Sequence, residues 1–312
     1  MAPMMPRRLR RKRARRGPNS HTSFPGVDIQ ILAVPYDSGN RGARMGAGPE
    51  TLLDSGLEKA LRNAGHTVGT KVAEITKGSW HAEIQTSFQL MRMLATEVRA
   101  ARQSNHLPIV LAGNCNTPVG TLAGLGAEST GVAWFDAHGD FNTPETTNSG
   151  FLDGTAVATI TGRCWSQLAL TIPVFAPVPD DRVCLIGTRD VDPLERELLE
   201  ASLVDVVGPT HIRTKLGFAL DKIRQRVEDM YVHLDLDVLD ATVARANSYA
   251  LSGGLTLEDA EYSLSEIRGR FRIAGITLSA YDPAGDVSGL AAQAAIRRIV
   301  SAASPSGRMV RD

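Results

Sequence analysis

The chain has 312 residues, of which 43% are apolar and 22% charged, the composition of an ordinary globular protein with enough length to bury a large core. No apolar run approaches the roughly 20 residues of a membrane span, so a soluble location is the default expectation. The formal charge of zero hides an asymmetry: residues 1–16 hold eight of the 34 Lys and Arg and no acid, leaving 26 basic against 34 acidic side chains elsewhere, a balance of −8.

The basic stretch Arg7–Arg16 has the charge to contact nucleic acid or an anionic surface. It reads instead as a tail, residues 1–26, outside the fold, or as the product of a start codon placed too far upstream. No apolar segment follows the charges, so a secretory signal is not expected. The three cysteines, Cys115, Cys164 and Cys184, have no paired spacing for a disulfide framework or a zinc knuckle, and a reducing cytoplasm fits them. Cys164 and Cys184 lie in or beside apolar segments and read as core residues.

In chain order, Val27–Pro35 predicts a first strand, followed by a glycine-rich loop, 37–46, whose spacing matches neither the P-loop nor the dinucleotide fingerprint. Pro49 opens a helix to about Arg62, with Leu53, Leu57 and Leu61 on one face. A strand near Thr67–Ile75 precedes a long helix, His81 to Gln103. Leu107–Leu111 is a buried strand ending in Ala112-Gly113-Asn114-Cys115-Asn116, and Thr117–Leu125 a short helix. Gly131–Phe135 has the apolar continuity of a strand buried on both faces.

After residue 154 a helix runs to about Thr161, and 173–179 is a proline-rich connection. Arg182–Gly187 is a strand, Pro193 begins a helix, and Leu203–Val207 is a short strand. A helix from about Lys215 to Val227 leads to the strand Met230–Leu234. Thr256 and Asp259 form a capping-box pattern opening a helix to about Ile267. Arg272–Leu278 and Leu290–Ala302 are the last strand and helix. Strands alternating with helices, without repeats or a long linker, predict one α/β domain over 27–312: three αβα layers on a mostly parallel sheet of about eight strands.

The chemistry gathers at strand ends, where such sheets bind ligands. If the chain stays extended from Phe135 through Asp140, the two-residue period puts Asp136, His138 and Asp140 on one side. Asp235 and Asp237 repeat that spacing after the Met230–Leu234 strand. Two carboxylate-rich strand ends brought together suit two cations, because so many converging acids repel one another without them. His233, inside its strand, reads as a core residue or one lying behind the ligands.

These motifs, in this order and over nearly the whole chain after the tail, resemble the arginase/agmatinase superfamily of binuclear manganese ureohydrolases. The resemblance implies that Asp136 and Asp235 bridge two Mn²⁺ ions, that Asp140 belongs to one ion, and that His138 and Asp237 belong to the other. It implies that Asn142 and Ser149 hold a substrate α-carboxylate, and Asp192 and Glu195 its α-amino group. A homo-oligomer, trimeric or hexameric, is the family's habit, and the implied partner is a small arginine-like amino acid.

Three positions depart from the family pattern. Cys115 stands where a histidine completes the ligand set of the Asp140 ion, and a thiolate is better suited to zinc or iron than to Mn²⁺. Asp153 stands where a histidine transfers protons, which leaves Asp153 and His138 as the candidate catalytic side chains. Ala280 stands where a glutamate meets the guanidinium, with Asp282 or Asp286 as possible substitutes. Cys115 also resembles the branch acting on N-hydroxyarginine. The expectation is therefore a metal-dependent hydrolase of a modified guanidino group, most simply N-hydroxyarginine to ornithine and hydroxyurea. A binding or regulatory protein that kept the fold and lost turnover is the alternative.

Overall fold

A computed structural model describes residues 26–75 and 82–304. The basic run of the expected tail lies outside the described residues, as does His81, the expected start of the long helix.

Among the described residues, ten strands form two sheets. β1 (Asp28–Val34) is followed by a small antiparallel hairpin of β2 (Tyr36–Asp37) and β3 (Asn40–Arg41), then β4 (Thr67–Val72), β5 (Leu107–Ala112), β6 (Thr130–Phe135), β7 (Val183–Ile186), β8 (Asp205–Val207), β9 (Asp229–Asp235) and β10 (Arg272–Ser279). Eight of them make one sheet in the order β4-β1-β5-β10-β9-β6-β7-β8, and every pair in it is parallel.

The helices are α1 (Gly48–Asp54), α2 (Leu57–Asn63), α3 (Glu83–Gln103), α4 (Pro118–Leu125), α5 (Ala156–Ile160), α6 (Ser166–Ala169), α7 (Pro193–Glu200), α8 (Ile212–Arg224), α9 (Leu257–Arg270) and α10 (Leu290–Ala303). The alternation of side chains along the strands sorts them into two layers. Ile31, Ile109, Phe135 and Val232 face a core shared with α1, α2, α8, α9 and α10. Their neighbours Leu32, Val110, Trp134 and Tyr231 face a second core built with α3 to α7. All six residues of β6 are buried, so its continuous apolar run reflects packing on both faces.

Two local expectations are corrected. The single helix from Pro49 to Arg62 is interrupted at Ser55-Gly56, where Gly56 adopts φ +93° and the chain restarts as α2. That break lets Leu57 and Leu61 bury completely while Leu52 does the same from α1. The chain is not extended through Asp140 either: β6 ends at Phe135, and Asp140 sits in the left-handed region at φ +50°. The expected Thr256 cap is present, with the Asp259 amide donating to Thr256 Oγ1 at 3.0 Å.

The strand order explains where ligands bind. After β5 the chain crosses to β6, and β10 and β9 later fill the gap between them. Loops leaving the carboxyl ends of β5, β10, β9 and β6 therefore surround one crevice. Among the described residues no helix is long and apolar enough to cross a membrane.

Candidate functional site

The eleven side chains expected as metal ligands, substrate contacts or proton carriers all line a single cavity of about 580 Å³ at those carboxyl ends. Asp136 and His138 follow β6 directly. The β6 loop is held on one side by an isolated bridge from His138 to Asp190 and by the Arg189 and Asp190 amides, which both donate to the Ala137 carbonyl. It then bends at Gly139, where a Cβ would run into the Glu195 carboxylate at 2.5 Å. A Cβ there would have to push that carboxylate off the amides it accepts from, and the left-handed turn at Asp140 comes next.

The carboxylates interlock through short bonds. Asp136 Oδ1 accepts from the His138 amide at 2.8 Å and lies 3.2 Å from His138 Nδ1, while its Oδ2 accepts from Trp134 Nε1 at 3.2 Å. Asp235 Oδ1 accepts from the Asp237 amide at 2.7 Å. Asp237 Oδ1 accepts from the Ala137 amide at 3.3 Å, which ties the end of β9 to the end of β6. Cys115 Sγ donates to Asp235 Oδ2 at 2.8 Å and lies 3.2 Å from Ser279 Oγ. Asp140 Oδ2 is buried with no hydrogen-bond partner.

Burial, followed by the neighbouring acids, holds the carboxyls of Asp140 and Asp235 well above the ordinary range and raises Asp237. Burial acts on Asp136 in the same direction, but the hydrogen bond and charge of His138 overcome it and leave Asp136 lowered. His138 is itself raised to about 9, its bonds and charges from Asp136 and Asp237 outweighing burial. Cys115 is pushed far up by burial and the acids around it.

Converging buried acids with an orphaned oxygen on Asp140 fit divalent cations, which keep such groups ionised where solvent does not reach. Two groups have ligand atoms within 4.8 Å of one another: Asp136, His138 and Asp237, and Cys115, Asp136 and His233.

Asp153 accepts from Asn114 Nδ2 at 2.7 Å and from Asn116 Nδ2 at 2.7 Å. Burial pushes it to about 7 despite those donors. The sequence reading missed both asparagines, although they flank Cys115 in the loop already singled out.

At the other end, Asn142 Nδ2 donates to Asp192 Oδ2 at 3.3 Å, and Asn142 Oδ1 accepts from Thr146 at 2.9 Å. Asp192 and Glu195 form a capping box at the start of α7. Buried Glu195 accepts from the Phe141 amide at 2.7 Å and the Asp192 amide at 3.1 Å, so both of its oxygens already serve backbone. Ser149 is exposed and accepts from the Phe151 amide at 3.1 Å.

Ala280 forms part of the cavity wall at φ +60°, its amide donating to the Gly113 carbonyl at 3.2 Å and its carbonyl accepting from Asn247 Nδ2 at 2.8 Å. Neither possible substitute faces the cavity. Asp282 accepts from the Ala284 amide, and Asp286 from Tyr281 and the Ala292 amide. The rim adds Arg44, which donates to Tyr249 at 2.9 Å and pairs with Asp37 at 3.3 Å, and Phe151 stacked on Tyr249. None of these rim residues carried a motif of its own.

Comparison with known proteins gives the same picture. The Arginase family model matches residues 27–304. The arginase of Brucella melitensis is 28% identical over 305 residues, covering 92% of this chain and 98% of its own. In fold, the chain is similar to the crystal structure of Bacillus subtilis arginase, with a TM-score of 0.81 at 24% identity over 91% of this chain and 99% of that one. It is also similar to the proclavaminate amidino hydrolase of Streptomyces clavuligerus, with a TM-score of 0.66 at 20% identity over 90% and 92%. The chain belongs to the arginase family and is a hydrolase of guanidino or amidino carbon–nitrogen bonds.

Proposed function

We propose that this hydrolase cleaves the N-hydroxyguanidino group of N-hydroxyarginine, releasing ornithine and hydroxyurea, with arginine the poorer substrate. One observation carries the reading: where the family resemblance assigns a carboxylate to the substrate guanidinium, the wall is the methyl group of Ala280, pinned at both its amide and its carbonyl. An arginine guanidinium is always charged and wants an acid beside it. An N-hydroxyguanidine is less basic and loses less when that acid is missing.

Cys115, Asp136, Asp140 and Asp235 would hold one divalent ion, and Asp136, His138, Asp235 and Asp237 the other, with Mn²⁺ the family's metal. A bound pair supplies Lewis acidity at the carbon–nitrogen bond and an acidified water. The chain's own residues do the rest. Asn142 and Ser149 take the α-carboxylate, and Asp192 meets the α-ammonium while Glu195 holds the Asp192 amide in place. Asp153, poised near 7, exchanges a proton with the departing amine end. We assign the protein to the cytoplasm as a homo-oligomer, a trimer or hexamer. Exposed Leu203, Val206 and Phe218, on and beside β8 and the helix packed on it, offer the apolar surface for such contacts.

Full-length, Mn²⁺-loaded protein assayed against N-hydroxyarginine and arginine tests the substrate. A higher kcat/KM for N-hydroxyarginine, with hydroxyurea as product, is expected. Equal or faster hydrolysis of arginine overturns the assignment.

A further inference from the structure

We propose that Cys115, Asp136 and His233 form a sulfur–oxygen–nitrogen ligand set at the floor of the cavity that selects a thiophilic divalent cation, Zn²⁺ or Fe²⁺. Each of the three offers a ligand atom within 4.8 Å of the other two, and all three residues are buried.

The sheet register builds the set. Trp134 on β6 pairs with His233 on β9. Two residues further along each strand, on the same face, stand Asp136 and Asp235. His233 thus lies directly beneath the carboxylates and stacks on the Trp134 indole with ring centroids 3.8 Å apart. Ser279, from the end of β10, spans the short gap, its Oγ 3.2 Å from Cys115 Sγ and 3.4 Å from His233 Nε2. Asp235 Oδ2, 2.8 Å from the thiol, adds a fourth donor.

His233 is the independent observation. It is fully buried, and its Nδ1 has no hydrogen-bond partner. Buried polar atoms are ordinarily paired, and an orphan asks for an explanation. A histidine kept only to pack against Trp134 gains nothing from its second nitrogen that a phenyl ring would not supply. The ring stands among a thiol and carboxylates, its Nε2 turned toward the Ser279 hydroxyl that meets Cys115, while its other nitrogen stays unpaired; a cation at Nε2 is the partner that this environment would favour. One sulfur, one imidazole and carboxylate oxygens are the donors of zinc and iron sites, whereas Mn²⁺ prefers oxygen. Cation binding would displace the thiol proton to solvent.

The inference concerns the donor set and not the substrate, so failure to hydrolyse N-hydroxyarginine leaves it standing. The test uses full-length, metal-stripped protein titrated with Co²⁺ as an optical probe, and with Zn²⁺ in competition with Mn²⁺. A thiolate-to-cobalt charge-transfer band is expected in the wild type, lost in Cys115→Ser, with Zn²⁺ affinity lowered about tenfold or more in His233→Gln. X-ray absorption on wild type holding one equivalent of Zn²⁺ should show one sulfur and at least one imidazole nitrogen, and needs no variant to fold. A Co²⁺ complex without the charge-transfer band, a zinc shell lacking sulfur or imidazole, or a folded His233→Gln protein with unchanged zinc affinity overturns it.

Discussion

Asn114 donates its amide proton to the Asp153 carboxylate at 2.7 Å, so the acid proposed to carry protons is held by a residue adjacent to Cys115. Burial raises Asp153 to about 7, and Asn114 works against that rise. As a group in the 10²–10⁴-fold class of general acid–base catalysts, Asp153→Asn should lower kcat by about that factor with little change in KM. Asn114→Ala removes a donor that favours the ionised form. The inflection attributed to Asp153 in the pH–rate profile should therefore move upward, and an unmoved inflection would assign the titration to another group.

Removing metal should make stability depend on pH in a definite direction. In the metal-free chain Asp140 and Asp235 have raised carboxyls, so the folded state binds more protons than the unfolded one. Their contribution is full below the ordinary carboxylate range near 3.9 and is lost as pH rises through the folded values. His138, raised to about 9, acts in the same sense: its contribution is full below about 6.5 and lost on approaching 9. Asp136, lowered, changes only at more acidic pH. Chelated protein should therefore melt at a lower temperature at pH 8.5 than at pH 6, and the gap between loaded and chelated protein should widen over that range. Calorimetry at the two pH values decides; a gap that narrows contradicts the assigned protonation states.

Glu195 should matter to stability before it matters to binding. Its carboxylate accepts the Phe141 and Asp192 amides from a buried position. Glu195→Ala leaves two amides unpaired at about 1–3 kcal/mol each, whereas Glu195→Gln keeps one oxygen acceptor and should lose less. Gly139→Ala attacks the same contact from the other side by driving a Cβ into that carboxylate, at about 1–3 kcal/mol. Denaturant unfolding of the three variants should rank the glutamine replacement mildest, and a glutamine variant as damaged as the alanine one would show that the negative charge is what counts.

Among the described residues lining the cavity, Arg44 is the lone Arg or Lys. Its guanidinium faces a cleft crowded with acids, and its side chain is 53% exposed. Its partner Asp37 is 3% exposed, so loss of the pair leaves that carboxylate without its cation and lowers stability. Arg44→Gln should accordingly lower the melting temperature while raising KM several-fold for an amino-acid substrate, and less for the same molecule without its α-carboxylate. Equal effects on the two substrates would place Arg44 outside the carboxylate's reach.

The cavity's acids were legible because they stand at two-residue spacing directly after apolar strands; Asp136, His138, Asp235 and Asp237 needed no partner to be noticed, and all four line the cavity. The fold was legible for a related reason, the alternation of buried strands with amphipathic helices. What escaped was long-range. Asn114 and Asn116 acquire meaning only when Asp153, 39 and 37 residues away, folds against them. Asn247 does so only when it spans Asp237 and Ala280. The left-handed turn at Asp140 escaped because its surroundings, with Glu195 packed against Gly139 and accepting the Phe141 amide, come from far along the chain.

Arg189 clamps the loops that follow β7 and β9. Its guanidinium donates to the carbonyls of Gly187, Asp237, Val238, Leu239, Leu251 and Ser252, so the loops after β7 and β9 move together or not at all. Lysine, with one ammonium, reproduces no such fork. By contrast, 147–151 is bonded within itself, from Gly150 to Thr147 and from Phe151 to Ser149, with the Phe151 ring stacked on Tyr249. Redesign toward longer or shorter amino-acid substrates therefore belongs in 147–151, where a new loop can be grafted without disturbing the acids, and not in the loops that Arg189 clamps, where any insertion would pull on Asp237.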